Sequence, residues 1–159
     1  MTNDEQQATG QPPGPDPALR KLDRLVGTWE LKGRTLGSEV EDVSGRVSFE
    51  WLPGGFFLAQ RVQIDFAGYA VEGLEIIGYD PATGRFPSTV YSSMIGTPIP
   101  YEHELEGDRW TIRTDLAGGA TYRGTFSEDG NSGAGGWRPN EGAEGAGNVA
   151  YDVTATRLS

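Results

Sequence analysis

The amino-acid sequence predicts an all-β protein, folded as a closed up-and-down antiparallel β-barrel of about 8–10 strands with a short N-terminal capping helix. Three observations predict it. Short segments that alternate apolar and polar residues follow one another along almost the whole chain, and turn signals separate them every 8–12 residues or so. Only one segment, near the N-terminus, has a helical pattern. Sequential strands with short connections favour a sheet that closes on itself.

The predicted helix lies between Asp16 and Gly27. Asp16 is a good N-cap, Pro17 suits the first helical position, and Gly27 can end the helix. About nine residues are too few for a stable isolated helix, so we expect this one to dock on the barrel. Its apolar residues share one face: Leu19, Leu22 and Val26, with Leu25 beside them.

The predicted strands are separated by glycine- and proline-containing turns such as "LPGGF" (52–56) and "YDPATGRF" (79–86). The glycine-rich stretch 135–149 predicts a long mobile loop between the last two strands. The strand segments are 28–35, 43–52, 56–66, 71–79, 85–93, 99–106, 109–115, 119–127, 131–138 and 148–157.

Alternation predicts which side chains point into the barrel. In 101–106, Tyr101, His103 and Leu105 share one face, while three glutamates share the other. The only histidine of the chain is therefore expected to point inward. The segment 56–66 is less regular, because Gln60 interrupts its apolar face.

Length and composition predict one domain at 16–159, preceded by a disordered tail at 1–15. The net charge of −10 indicates that neither nucleic acid nor an anionic membrane surface is a partner. The chain has no cysteine, no run of about 18 apolar residues and no apolar leader segment, and we expect a cytoplasmic protein. The sequence leaves a homodimer open.

Trp29, on the first strand just after the helix, is expected to close the narrow end of the barrel. Arg157, on the inward parity of the last strand, is placed to stack on this indole and to donate to nearby carbonyl groups. We therefore predict a structural closure formed by these two side chains.

These residues also carry a resemblance to known proteins. "GTW" at 27–29, after a short helix and with Arg157 near the C-terminus, resembles the calycin superfamily of lipocalins, fatty-acid-binding proteins and nitrobindin-like barrels. More closely, "LDRLVGTWELKG", "PGGFFLAQR" and "GLEIIGYDPATGRF" resemble a bacterial family of unknown function, over roughly residues 19–158. The resemblance implies an antiparallel barrel with an internal cavity.

The same resemblance bears on cofactors. Nitrobindin-like barrels hold haem through a histidine near the C-terminus, and the last strand, "GNVAYDVTATRLS", has none. One histidine and no cysteine also indicate against a zinc site. We therefore predict no cofactor and no metal.

The candidate ligand-binding residues follow from the predicted interior. His103 is a candidate ligand contact or general base. Arg61 could hold a carboxylate ligand if it pointed inward, although the apolar opposite face of its strand favours an outward position. Glu75 is either a solvent-facing residue of an edge strand, which we expect, or a buried acid, in which case it is a candidate ionisable group of an enzyme after His103, Arg61 and Tyr91. The complete set of candidate residues is His103, Arg61, Tyr91, Trp51, Trp110 and Trp137.

Three functions compete on the sequence alone. The first is binding of a small hydrophobic or aromatic molecule inside the barrel. The second is a cofactor-free isomerase or cyclase acting on a hydrophobic metabolite, and whether the protein is an enzyme stays open. The third is a structural or interaction protein whose interior is filled by side chains.

Overall fold

A computed structural model of the protein describes residue 10 and residues 12–159, and there it forms one closed, ten-stranded antiparallel barrel. The predicted fold class is confirmed. The predicted disordered tail falls largely outside the described residues. The strands are β1 (Gly27–Thr35), β2 (Val43–Trp51), β3 (Leu58–Phe66), β4 (Tyr69–Ile77), β5 (Phe86–Ser92), β6 (Ile99–Glu106), β7 (Arg109–Thr114), β8 (Ala120–Phe126), β9 (Ser132–Pro139) and β10 (Tyr151–Arg157).

Each strand pairs with its sequence neighbours, and β1 closes the barrel by pairing with both β2 and β10. Trp29 stands opposite Val47 on one side and Arg157 on the other. The predicted strand bounds agree to within three residues. The predicted loop 135–149 is shorter than expected, because β9 continues to Pro139. Its remainder is tied down by a hydrogen bond of 2.7 Å from Asn148 Nδ2 to the Leu116 carbonyl.

The N-terminal helix, Pro17–Leu25, is a 3₁₀ helix. Asp16 caps it by accepting a hydrogen bond from the Ala18 backbone N–H at 2.9 Å. A 3₁₀ helix has three residues per turn, so side chains three apart lie on one face. The buried face is therefore Leu19, Leu22 and Leu25, and Val26 is only half-buried.

The helix covers one end of the barrel, which we call the closed end. Trp29 is 3% exposed there, and its indole N–H donates to the Leu25 carbonyl at 2.9 Å. The Arg157 guanidinium lies 4.2 Å from the Trp29 ring centroid and donates to the Val26 and Arg24 carbonyls. The buried core at this end is Leu19, Leu22, Leu25, Trp29, Val47, Phe49, Leu58, Ile77, Phe86, Leu105 and Phe126.

The opposite end, which we call the open end, carries the connections 36–42, 67–68, 93–98, 115–119 and 140–150, of which 115–119 includes a single-turn 3₁₀ helix at Leu116–Gly118. Exposed apolar side chains lie on three of these loops: Leu36, Val40, Met94, Ile95 and Val149. No helix among the described residues is long and apolar enough to cross a lipid bilayer.

Candidate functional site

Four polar side chains form a hydrogen-bonded network inside the barrel, at a level between the closed end and the open end. The Trp110 indole N–H donates to His103 Nδ1 at 3.1 Å, and His103 Nε2 lies 2.5 Å from Glu75 Oε2. The Ser88 hydroxyl donates to the same carboxyl oxygen at 2.6 Å. His103 and Glu75 are 1% and 5% exposed, so this network is shielded from bulk water.

The Trp110 indole determines which ring nitrogen of His103 carries the proton. An indole nitrogen can only donate, so His103 Nδ1 must accept and the ring proton must lie on Nε2. His103 and Ser88 therefore both donate to Glu75 Oε2, and two donors on one oxygen favour a carboxylate acceptor. Both nitrogens of His103 are occupied, so this side chain orients Glu75 and has no free nitrogen for a ligand.

The second carboxyl oxygen of Glu75, Oε1, differs from Oε2 in its hydrogen bonding. Glu75 Oε1 makes no hydrogen bond to any described residue, and the side chain is 7% exposed. Among the described residues, His103 is also the one basic group within ion-pair distance of this carboxyl. Glu75 thus presents one unpartnered oxygen to the interior, which a ligand can satisfy.

The expectation that Glu75 faces solvent was wrong. Glu75 lies opposite Gln60 on β3, and Gln60 lies opposite the buried Phe49 on β2. Residues directly opposite across an antiparallel pair share a face, so all three point inward. The alternation of β4 was misleading because the outward-facing Leu74 and Ile76 are half-buried as well.

Aromatic side chains line the open half of the interior beside Glu75. Trp137 lies 5.6 Å from Tyr101 and 5.8 Å from Tyr122, measured between ring centroids. Tyr122 also lies 5.5 Å from Trp110. Tyr151, at the start of β10, stands opposite Trp137 and packs edge-on against Phe66 at 4.9 Å.

The hydroxyls of Tyr101, Tyr122 and Tyr151 make no hydrogen bond to another described residue. The one fully buried side-chain nitrogen or oxygen that lacks a partner in this part of the chain is Arg24 Nε. Each tyrosine hydroxyl therefore retains some accessible surface. A cluster of aromatic rings with unpaired donors is typical of a ligand pocket.

Burial keeps these tyrosines neutral. It raises the pKa of Tyr101 to about 12, with the nearby Glu75 charge as a second cause, and it raises the pKa of Tyr122 to about 12. Burial, followed by the proximity of Tyr101 and Tyr122, also raises the pKa of Tyr151. The three hydroxyls can therefore donate or accept hydrogen bonds throughout the neutral range.

Two glycines on neighbouring strands leave space for the Tyr122 ring against the barrel wall. Gly124 and Gly135 point inward opposite each other, and a methyl group at either would lie 2.4 Å or 2.6 Å from the Tyr122 hydroxyl. The Tyr122 ring therefore lies along the barrel wall over these two glycines. At Gly124 the three atoms nearest to such a methyl group all belong to Tyr122. A side chain there would push the ring into the interior.

The structure brings only part of the sequence-predicted set to this site. His103, Trp110 and Trp137 lie in it. Arg61 and Tyr91 lie on the outer face of the sheet and are exposed, Tyr91 at 50%. Trp51 lies at the closed end, where its indole N–H donates to Asp23 at 2.8 Å and Arg20 stacks on its ring.

Sequence reasoning named Glu75 only as the last candidate ionisable group of the enzyme alternative, and it did not single out Gln60, Tyr101 or Tyr151 as site residues. A signal was present for the first two. Gln60 interrupts an apolar face, and the adjacent strand carries Glu75 at the same parity as Val71 and Ile77. Two polar side chains on the inward faces of neighbouring strands indicate a shared polar site.

The described residues contain no cluster of three or more His, Cys, Asp or Glu side chains that could hold a metal ion. A groove of about 660 Å³ lies on the outer face of β1, β8, β9 and β10. It is open to solvent, and one of its arginines, Arg138, already pairs with Asp152 at 2.7 Å. We therefore place the candidate site inside the barrel, where the three tyrosine hydroxyls and Glu75 Oε1 have no hydrogen-bond partner among the described residues.

Comparisons with known proteins agree with this fold. A family model described as "Protein of unknown function (DUF1579)" matches residues 14–121, and the chain belongs to this family. The crystal structure of Rv2717c from M. tuberculosis is similar to this chain, with a TM-score of 0.60 and 17% sequence identity. The match covers 91% of this chain and 99% of that one. Among curated proteins, none matches significantly.

Proposed function

We propose that this protein binds a small, flat, largely apolar molecule in the open half of the barrel interior. The observation that carries the proposal is the set of three tyrosine hydroxyls that line this space without partners among the described residues. A filled structural core would bury such groups with partners, since each buried unpaired polar group costs about 1–3 kcal/mol, whereas these three hydroxyls keep surface that a small molecule or water can reach. A bound ligand or ordered water would supply the missing hydrogen bonds.

Two further features support the proposal. The rings of Tyr101, Tyr122 and Trp137 offer faces and edges on which a flat molecule can pack. Apolar side chains on the loops of the open end provide an entry that suits a hydrophobic ligand. The resemblance to calycin barrels, which implies an internal cavity, points the same way, and the cysteine-free sequence suits the cytoplasm.

The test uses an uncharged, flat fluorescent probe, N-phenyl-1-naphthylamine. Titration should give saturable binding at one site per chain. Trp137→Ala should weaken binding about tenfold, since the ligand loses an aromatic wall. The matched control is Trp51→Ala, which removes an indole at the closed end and should leave the dissociation constant unchanged. Absence of saturable binding, or equal effects of the two variants, would overturn the proposal.

A second candidate function is proton abstraction by Glu75, as in a cofactor-free isomerase or cyclase. The observation that favours it is the free Oε1 of a carboxylate held by two donors in an apolar site. The probe substrate is 5-nitrobenzisoxazole. Glu75 would take its C3 proton, the C–H electron pair would complete the nitrile, and the N–O bond would break to release 2-cyano-4-nitrophenolate.

This candidate requires wild-type protein to accelerate release of the phenolate well above a matched carboxylate buffer. Glu75→Gln must abolish the acceleration while binding of the neutral probe persists. Equal rates for the wild type and Glu75→Gln would rule out Glu75 as a general base.

A further inference from the structure

We propose that the ligand of the interior site carries a protonated amine. When the flat apolar part of the ligand packs on the aromatic lining, this amine lies against Glu75. This inference rests on the proposed function, and it names the chemical class of the ligand. Three features carry it: the charges inside the barrel, the aromatic lining and the charges at the open end.

The first feature is the charge balance of the interior. By strand parity, the only charged side chains on the inward faces of the ten strands are Glu75 and Arg157. Arg157 is held at the closed end by Trp29 and backbone carbonyls. The open half therefore contains one carboxylate without a countercation among the described residues. A buried charge is stabilised by an opposite charge, so this site favours a cation and disfavours an anion.

The second feature is the aromatic lining. Ring faces carry partial negative charge and attract an ammonium group, while they repel a carboxylate. Tyr101 stands opposite Ser88, whose hydroxyl donates to Glu75, and Trp137 lies 5.6 Å from Tyr101 between ring centroids. An amine bound at Glu75 Oε1 would thus lie beside aromatic rings, and neutral hydroxyls would complete its hydrogen bonds.

The third feature is the charge of the open end. Its five loops contain no lysine or arginine, so their acidic residues are uncompensated there, whereas Arg20, Lys21, Arg24 and Arg85 offset most of the six acidic residues of the closed end. Such a distribution attracts cations toward the entrance and repels anions. The acidic residues of the open-end loops are Glu39, Glu41, Asp42, Asp115, Glu141 and Glu144.

The experiment measures competition with N-phenyl-1-naphthylamine by three naphthalenes of matched size. These are 2-(2-naphthyl)ethylamine, which is an ammonium ion at neutral pH, the uncharged 2-(2-naphthyl)ethanol, and the anionic 2-naphthylacetate. We expect the amine to displace the probe at a concentration at least about tenfold lower than the alcohol, and the carboxylate to compete worst.

Two variants assign the preference to one carboxyl. Glu75→Gln keeps the shape of the side chain and should remove the advantage of the amine over the alcohol. The matched control is Glu72→Gln, which removes the same charge from the outer face of the same strand and should leave the preference intact.

Each outcome decides between the two proposals. If the neutral probe does not bind, the proposed function fails. If the probe binds but the amine competes no better than the alcohol, the cation preference fails and the binding site remains. The preference is also wrong if Glu72→Gln abolishes it and Glu75→Gln does not. Should Glu75→Gln fail to fold, the ranking of the three naphthalenes on wild-type protein still decides.

Discussion

The two halves of the barrel interior are built from the same ten strands and differ in how their polar atoms are paired. At the closed end, the Trp29 indole and the Arg157 guanidinium have hydrogen-bond partners and are surrounded by aliphatic and aromatic core residues. In the open half, three tyrosine hydroxyls and one oxygen of Glu75 have no hydrogen-bond partner among the described residues and keep accessible surface, whereas the one fully buried unpaired side-chain nitrogen or oxygen of those residues, Arg24 Nε, lies at the closed end. The closed end therefore stabilises the fold, and the open half holds the groups that a ligand can satisfy.

The boundary between the halves is the Trp110 side chain. Its ring stacks on Phe126 of the core at 5.7 Å and packs edge-to-face with Tyr122 at 5.5 Å, both measured between ring centroids. Its N–H fixes His103, which in turn fixes Glu75. The packing of Trp110 against the core therefore orients His103 and, through it, Glu75. Packing at the closed end thus determines the geometry of the polar groups in the open half.

The largest expected effect is on stability at the closed end. Trp29→Ala should lower the free energy of unfolding by about 3–5 kcal/mol, since it leaves a cavity and removes the ring beneath Arg157. Trp137→Ala, in the half-buried open half, should cost less than half as much. Urea denaturation of both variants measures the difference. Equal losses would contradict the division into two halves.

The next effect tests the buried polar network. His103→Leu should lower the free energy of unfolding by about 2–3 kcal/mol, because Trp110 loses its acceptor and Glu75 loses a donor. Adding Glu75→Leu should restore part of this loss, since no unpaired carboxylate then remains. A double variant as unstable as the sum of the two single variants would show that the two side chains do not interact.

Sequence alone was sufficient for most of the barrel, since alternation depends only on neighbours along a strand. The ten strands, the inward parity of His103 and the Asp16 cap all follow from local patterns. Glu75 was misplaced because its burial depends on pairing with Gln60, which lies on another strand. The network among Ser88, Glu75 and His103 joins three strands, and no local pattern encodes that juxtaposition.

A further effect concerns alkaline pH. Tyr101 and Tyr122 have pKa values of about 12 in the folded protein, raised from the ordinary value of 10. Below pH 10 both groups are neutral in both states and stability is independent of their titration. Between pH 10 and 12 the unfolded chain loses these protons first, so stability falls by up to about 1.4 kcal/mol per pH unit for each group.

Denaturation midpoints measured from pH 8 to 12 test this dependence. Tyr122→Phe should reduce the alkaline loss, while Tyr69→Phe, at a residue 64% exposed, should not. A wild-type midpoint that stays constant up to pH 12 would contradict the burial of these hydroxyls.

The smallest expected effect is at Arg61, which lies on the outer face of β3. Arg61→Ala should change the free energy of unfolding by no more than about 0.5 kcal/mol. It should also leave binding of N-phenyl-1-naphthylamine unchanged. A large loss of affinity would place the ligand outside the barrel and reverse the assignment of the site.

The most direct test of an interior ligand site uses the four tryptophans of the chain. The protein is labelled with 5-fluorotryptophan, each ¹⁹F resonance is assigned with single Trp→Phe variants, and N-phenyl-1-naphthylamine is titrated in. We expect the Trp137 resonance to shift most, with a smaller shift at Trp110 and none at Trp29 or Trp51. Shifts at the two closed-end tryptophans, with Trp137 unchanged, would contradict a ligand site in the open half of the barrel.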